Sequence, residues 1–356
     1  MYRCVMSVHG IRTRGVWQKD LAPVLALRNF VPFALDYGWF STFSFASRRA
    51  RDRKVEWLRG EYERVTAEAN VQRPSIIAHS FGTYLVAGLL LKYQQIRFDK
   101  VILAGSIVDR DFDWPSVIDA GQVNWLRNDY GTLDRWPRLA RSLVPDAGPS
   151  GAEGFRRGHR SVSQRRFPRH RHSDYFHRGH FQRYWIPTLM RVVVSAHERS
   201  RLTDMLDLAC QTVASRLAVP VTSVRANIFM PDEEGTLGIP DGLTHNMPEP
   251  QEHTISITPG TGCTGVAFSQ REQTIAIMRG GWGTHTLPGT ELAKVHKGLK
   301  WIVSTPIPDP DLAGAVLGIF NVDGLDVEKG RDALEPLLGD LSTTAKSLAV
   351  TFKKLA

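Results

Sequence analysis

The sequence predicts an α/β first half built on a doubly wound, mostly parallel sheet, followed by an α+β second half with a central antiparallel sheet. Three observations lead there. Up to about residue 190, short apolar runs alternate with amphipathic helical patterns. One of these runs, Ser75-Ile76-Ile77-Ala78-His79, passes through Ser80 directly into the apolar helical stretch Phe81-Gly82-Thr83-Tyr84-Leu85. Beyond residue 196 the order changes to one helix, several strands and a closing helix.

Taken in order, Tyr2 to Val8 reads as a strand ending in His9-Gly10-Ile11-Arg12-Thr13, and Trp17, Leu21, Val24, Leu25 and Leu27 follow at helical spacing. Val31–Leu35 is the next strand, Arg51–Ala69 a helix, and Ser75–Ala78 the strand before Ser80. Val101–Ser106, Val123–Leu126 and Val162–Phe167 continue the alternation, and a helix-like run extends from Ile186 through Pro187 to Ala196. The domains are therefore placed at 1–195 and 196–356. In the second, Leu202–Leu217 and Arg331–Leu355 read as helices flanking strands at Val224–Met230, Thr254–Ile257, Gln273–Met278, Trp301–Pro306 and Ala315–Val322.

A serine on a tight strand-to-helix turn needs small residues two before and two after it, here Ala78 and Gly82, because strand and helix backbones approach closely. The turn exposes the hydroxyl and sets the Phe81 N–H at a helix N-terminus, where partial positive charge meets a developing oxyanion. The strand ending in His9-Gly10 supplies a second donor: the glycine lets the backbone turn so that the Ile11 N–H points at the same place. Ser80 thus reads as a nucleophile, with Phe81 and Ile11 as oxyanion donors. Together these segments resemble the α/β-hydrolase family, with its nucleophile elbow and oxyanion loop. Ala78 stands where Gly-x-Ser-x-Gly has its first glycine, as in several lipase-like branches of the family. The antiparallel strands with which the family opens have no room before Tyr2, so a sheet trimmed at that edge is expected.

The resemblance implies the chain order Ser, acid, His. Asn128-Asp129-Tyr130-Gly131-Thr132-Leu133-Asp134 is similar to the family's Gly-x-x-Asp turn, which favours Asp134 as the acid, with Asp129 second. Asp109, Asp111 and Asp113 fall where a minority of lipases carry theirs, although Asp-rich turns ordinarily cap helices. The base comes from His159, His170, His172, His177 or His180; His172, after the last strand, holds the family's position and His180 is second. His9 is expected to shape the oxyanion loop and His79 to pack beside the nucleophile. No cysteine or acid sits at zinc-like spacing from these histidines, so no metal and no cofactor is expected.

The second half resembles a GAF domain, through Arg225–Asp232, Pro259–Phe268, Thr305-Pro306-Ile307 and Val316–Asp323 in that order. The resemblance implies a sensor: a sheet with helices on one face and a pocket on the other for a nucleotide or other small ligand. Gly260, Gly262 and Gly265 allow close backbone approach there, and Thr264–Ser269 is expected to begin a short helix facing an anion. The signature Asn-Lys-Phe-Asp-Glu of its cyclic-nucleotide branch is absent, as is a cysteine in a bilin-attachment setting. A domain that only dimerises, making a second copy the partner, is the other reading.

Composition narrows the partners. A 42% hydrophobic chain of 356 residues supports two cores, and no run of roughly 18 apolar residues suggests a membrane span. The chain opens on a strand rather than a secretory signal, so a cytoplasmic location is expected, with the odd, widely spaced Cys4, Cys210 and Cys263 as packed thiols. The net charge of +9 is concentrated in nine arginines between Arg156 and Arg183. This is a local positive field without stacking aromatics in a nucleic-acid motif, so nucleic acid is not the expected partner. Together the two resemblances imply a serine esterase or lipase acting on a small-molecule or lipid ester and governed by a sensor, or else a hydrolase fold kept as an inactive scaffold.

Overall fold

In a computed structural model the chain forms two compact units, Met1–Met190 and Arg191–Ala356. The structure describes residues 3–11, 15–38, 45–144, 146–191, 193, 196–232, 234–240, 243–278 and 287–355. Arg12 and Thr13, which figure in the sequence reading, lie outside the described residues, as does Tyr2 at the start of the first run.

The first unit is a six-stranded, wholly parallel sheet in the order β2-β1-β3-β4-β5-β6. Its strands are β1 (Arg3–Val8), β2 (Phe30–Leu35), β3 (Ser75–His79), β4 (Phe98–Ala104), β5 (Val123–Gly131) and β6 (Val162–Phe167). Among the helices between them are α1 (Val16–Ala26), α2 (Arg48–Ala69) and α3 (Phe81–Lys92). Successive strand residues point to opposite faces, and both faces are buried. Met6, Val8, Ile76, Ala78, Val101 and Leu103 join a core with Val55 and Leu58 of α2 and Leu85 and Leu89 of α3. Val5, Ile77, Ile102 and Ala104 face the other way, onto Trp17 and Leu21 of α1 and onto Phe181, Trp185 and Ile186. That two-sided burial is why β3 and β4 read as continuous apolar runs instead of alternating ones.

The second unit has an antiparallel sheet in the order β10-β8-β7-β13-β12-β11, with β9 pairing β7. β7 (Val224–Pro231), β12 (Leu299–Pro308) and β13 (Val316–Leu325) carry it; β8 (Leu237–Gly238), β9 (Thr244–His245), β10 (Ser256–Ile257) and β11 (Thr274–Ile277) are short. α4 (Ala196–Leu217) and α6 (Leu338–Leu355) cover one face, burying Leu206, Val213, Leu348 and Phe352 against Ala226, Ile228, Val303 and Val322. On the opposite face α5 (Gly262–Gln270) packs near Phe229, Ile257 and Ile319.

Three elements differ from the sequence reading. The closing helix is broken: Arg331–Leu334 and a 3-10 turn Glu335–Leu337 precede α6, because Pro336 lacks the N–H that a continuous helix would use. The run from Ile186 is helical to Met190 and again from Ala196; Arg191 and Val193 are not helical, and Val192, Val194 and Ser195 lie outside the described residues. Thr254 belongs to a 3-10 turn, Glu252–Thr254, rather than to a strand; β8 and β9, two residues each, are too short to show any period.

Leu103 is fully buried in the middle of β4. Leu103→Ala should cost about 2–5 kcal/mol through lost burial and the cavity left behind. Hydrogen-exchange mass spectrometry should show β3 and β4 amides exchanging faster while those of β12 and β13 are unchanged.

Candidate functional site

Strand order reverses between β1 and β3, since the chain leaves β1 for β2 on one side and returns to β3 on the other. Open parallel sheets form a crevice at the carboxyl ends of the strands flanking such a point. His9-Gly10-Ile11 follows β1 there and Ser80 follows β3.

Ser80 sits between β3 and α3 at φ 52° and ψ −118°, a sparsely populated conformation that costs about 1–3 kcal/mol. It is held by its own backbone: Ser80 N–H donates to the Ala104 carbonyl at 3.2 Å, and the Ser80 carbonyl accepts from Thr83 N–H at 3.0 Å and Thr83 Oγ1 at 2.6 Å. Small neighbours are obligatory. A β-carbon on Gly82 would lie 2.8 Å from the Val8 carbonyl oxygen, and one on Gly10 would lie 2.8 Å from Ser80 Cβ and 3.2 Å from Oγ. Ala78 is wholly buried between Val8 and Leu103 of the neighbouring strands. Phe81, the first residue of α3, is buried, and Ile11 lies half-buried in the turn after Gly10.

Asp134 and His172 meet at the same edge of the sheet. After β5, Asp134 N–H donates to the Gly131 carbonyl at 3.0 Å, closing the Gly-x-x-Asp turn, and Oδ1 accepts from Trp136 N–H at 3.0 Å. Its Oδ2 lies 2.8 Å from His172 Nδ1. With Nδ1–H donating to the carboxylate, Nε2 of His172 is the nitrogen able to accept a proton. The His172 ring packs over Gly105, one residue beyond the carbonyl that holds Ser80; Nδ1 lies 3.0 Å from where a Gly105 β-carbon would be. His79 Nε2–H donates to the His172 carbonyl at 2.9 Å, and the two rings are 4.5 Å apart. Ser80 Oγ makes no hydrogen bond among the described residues.

His79 is fully buried, and burial, reinforced by the neighbouring His172, holds its pKa well below the ordinary histidine value. It stays neutral and positions the His172 main chain. His9 shapes the adjoining loop: Nε2 contacts Asp36 at 3.0 Å, Nδ1 contacts its neighbour's Gly10 carbonyl at 2.8 Å, and the ring stacks on Tyr37.

The second-ranked residues form a separate pair. Asp129 lies inside β5 rather than in the turn, with Oδ1 bonded to Arg127 Nε at 2.8 Å and Oδ2 to His180 Nε2 and Trp185 Nε1, both at 2.9 Å. Burial opposes its charge, but Arg127, His180 and Trp185 outweigh it and hold the carboxyl below its ordinary value. His180 and Trp185 are five residues apart, about 140° around an α-helix. They reach one oxygen because Phe181–Trp185 forms a π-helical turn, whose i→i+5 repeat places such residues on one side. Asp109 Oδ1 accepts from Asp111 N–H, Asp111 pairs with Arg156, and Asp113 caps the helix Trp114–Asp119 and pairs with Arg157. His159 contacts Asp119 at 3.4 Å, and His177 caps the turn Arg178–His180.

The arginine-rich segment is not one loop: Arg165 and Arg166 lie in β6, and Arg165 and Arg183 both pack on Tyr184. Two groupings escape sequence reading. Arg127, two residues before Asp129 on β5, and Trp185, far along the chain, complete the Asp129 network. His170, His177 and His180 come together, each offering a ring nitrogen within 4.8 Å of the other two. The spacing of His177 and His180 was visible; the third member arrives from the loop after β6.

In the second unit a cavity of about 50 Å³ lies beside α5, lined by Arg225, Cys263, Thr264, Asn321 and Asp323 among others. Arg225 Nε donates to Asp323 at 2.6 Å and Nη1 to Glu252 at 2.8 Å; Asn321 Nδ2 donates to Asn227 and Thr264. Thr264–Ser269 lies within α5 as the glycine-rich stretch implies, and Gly265 packs so closely that a β-carbon would lie 2.6 Å from the Thr258 carbonyl oxygen. Burial pushes the Cys263 thiol up to about 11, and Cys4 and Cys210 up to about 12. All three are free, buried thiols.

No protein-family model and no curated protein matches the sequence. Solved structures match parts of it. They include GAF domains and a predicted CIB-like hydrolase. The nlh2 GAF domain of A. aeolicus is 14% identical, covering 43% of this chain and 98% of its own at a TM-score of 0.30. The GAF region of a putative membrane protein from Geobacter sulfurreducens is 19% identical over 44% of this chain and 93% of its own, at 0.32. A predicted CIB-like hydrolase from Thermoplasma acidophilum is 16% identical over 49% and 80%, at 0.33. No helix among the described residues is long and apolar enough to cross a membrane.

A neutral buried histidine gives a pH dependence of definite sign. The folded pKa of His79 lies below the unfolded value near 6.5, so its contribution is intact above pH 6.5 and is lost as the pH falls from there toward the folded pKa. Melting temperatures measured from pH 8 to 5 should decline more steeply for the wild type than for His79→Gln, which keeps a donor for the His172 carbonyl but does not titrate.

Proposed function

We propose that the unit Met1–Met190 is a serine hydrolase acting on carboxylic esters, lipid esters among them, with Ser80 as nucleophile, His172 as general base and Asp134 as the acid that orients it. The observation that carries this reading is the His172 Nδ1 to Asp134 Oδ2 contact of 2.8 Å at the sheet edge where Ser80 occupies a strained strand-to-helix turn. Ser80 Oγ attacks the ester carbonyl and gives its proton to His172 Nε2. The carbonyl oxygen becomes an oxyanion, received by the backbone N–H groups of Phe81 and Ile11. Collapse expels the alkoxide, which takes the proton from His172 and leaves an acyl-serine. Water then attacks that ester, again losing its proton to His172, and Ser80 is regenerated. Nucleophile and base tighten to hydrogen-bond distance in complexes with substrate, so the unbonded Oγ of Ser80 is compatible with this role.

The unit Arg191–Ala356 is read as a small-molecule sensor or dimerisation module that governs the hydrolase. A folded chain ending at residue 195 should then differ from the full chain in esterase rate or in its salt dependence; equal rates at every ionic strength would make the second unit passive.

A second reading, an inactive hydrolase fold used as a scaffold, draws on Ser80 being only 7% exposed with no hydrogen bond to Oγ among the described residues. A fluorophosphonate probe separates the two. The wild type should be labelled and hydrolyse short p-nitrophenyl esters. Ser80→Ala should abolish both while keeping its circular dichroism spectrum, and Asp134→Asn should lower kcat by about 10⁴. An unlabelled, inactive wild type favours the scaffold.

The close approach at Gly10 adds a distinct prediction. In Gly10→Ala the new methyl group presses on Ser80 Cβ and Oγ. Labelling should slow by about 10², the effect of displacing a reacting atom by roughly 1 Å.

A further inference from the structure

We propose that His170, His177 and His180 form a binding site for a divalent transition-metal ion of the zinc class, separate from the Ser80 centre.

Each residue presents a ring nitrogen within 4.8 Å of the other two. Three imidazoles bound at about 2.1 Å around a tetrahedral ion stand somewhat closer together than that, so modest side-chain rotation closes the set. His180 is already prepared. Its Nε2 is fixed to Asp129 Oδ2 at 2.9 Å, so the proton sits on Nε2 and Nδ1 carries the lone pair. A carboxylate behind a histidine in this way sets the tautomer and raises the basicity of the ligating nitrogen. Asp129 is in turn held by Arg127 and Trp185, so the whole support is rigid and buried.

His170 supplies an independent sign. Its Nε2 is shielded from solvent yet has no hydrogen-bond partner among the described residues, a costly state for a polar atom unless something else satisfies it. The ring is stacked on Phe167 and lies next to Tyr175, which fixes its plane. His177 is exposed, and Nδ1 accepts a weak 3.2 Å bond from His180 N–H, so it is the ligand that swings in. The donors are all imidazole, with every cysteine buried and protonated elsewhere. That set suits Zn²⁺, Co²⁺, Ni²⁺ or Cu²⁺ and not Mg²⁺ or Ca²⁺. Three ligands leave a fourth position for water or an exogenous group.

His170 and His177 bracket the segment containing His172, so the ion would clamp both ends of the loop that presents His172 to Asp134. The metal acts on the loop and takes no part in the hydrolytic step, so the site stands whether or not the chain is an esterase.

The test uses the untagged full chain, stripped with a chelator and titrated with Zn²⁺ by calorimetry and with Co²⁺ by visible absorption. One ion should bind per chain, raise the melting temperature, and give the spectrum of four-coordinate Co²⁺ with nitrogen and oxygen ligands. His170→Phe keeps the stack on Phe167, and His177→Asn keeps a helix-capping acceptor. Each should weaken Zn²⁺ binding at least about tenfold with an unchanged circular dichroism spectrum. A wild type that takes up no zinc overturns the proposal, as do variants that bind it as tightly as the wild type.

Discussion

The carboxyl edge of the parallel sheet depends on main chains being allowed to come unusually close around Ser80. The serine amide reaches across to Ala104 of β4, while α3 begins so near β1 that position 82 has room only for hydrogen against the Val8 carbonyl. Gly10 repeats the constraint from the other side, because its hydrogen faces Ser80 Cβ and Oγ. The strained serine is offset by what surrounds it: Ala78 and Phe81 are wholly buried, and the Phe81 ring is edge-on to both Tyr37 and Phe45. The turn is therefore a property of three segments at once, and the apolar core beneath it fixes a geometry that the local sequence would not adopt alone.

Burial divides two histidine–carboxylate pairs that look alike in the sequence. Asp129 and His180 lie under the sheet edge with Arg127 and Trp185, and both Asp129 carboxylate oxygens are bonded within the protein. Such a group is costly to break and poorly placed to exchange protons with a substrate. The Asp134–His172 pair is bonded at 2.8 Å against 2.9 Å but has a different setting: the carboxylate is buried, while 17% of the histidine side chain is open to solvent. In the proposed mechanism His172 accepts a proton from one partner and returns it to another, which needs that opening.

Most of the sheet was legible because its strands are buried on both faces and its helices on one, so period and apolar run length report directly on position. Ser80, Gly82 and the Gly131-x-x-Asp134 turn were legible for another reason: close approach and tight turns restrict residue type locally. What could not be read was whatever depends on residues far apart in the chain. Asp129 looked like a turn residue because the end of β5, Asn128 to Gly131, is polar; it is a strand because each of those residues has a register partner in β6. Arg127 and Asp129 stand two apart on β5, but Trp185 joins them only from the helical turn after β6, as His170 joins His177 and His180 from the loop before that turn. Arg225, Glu252 and Asp323 in the second unit are likewise joined only by the folded sheet.

The π-helical turn at Phe181–Trp185 bears on how this segment tolerates change in length. A π turn is an α-helix carrying one surplus residue, and excising that residue would give a better hydrogen-bonded helix. It would also rotate Trp185 away from the oxygen it shares with His180, leaving the Asp129 carboxylate short of a partner inside the core. Selection on this stretch therefore acts on the count of residues as well as on their identity. Homologous chains that preserve the buried carboxylate should carry the same number of residues between histidine and tryptophan, and those that lose one should have given up the carboxylate too.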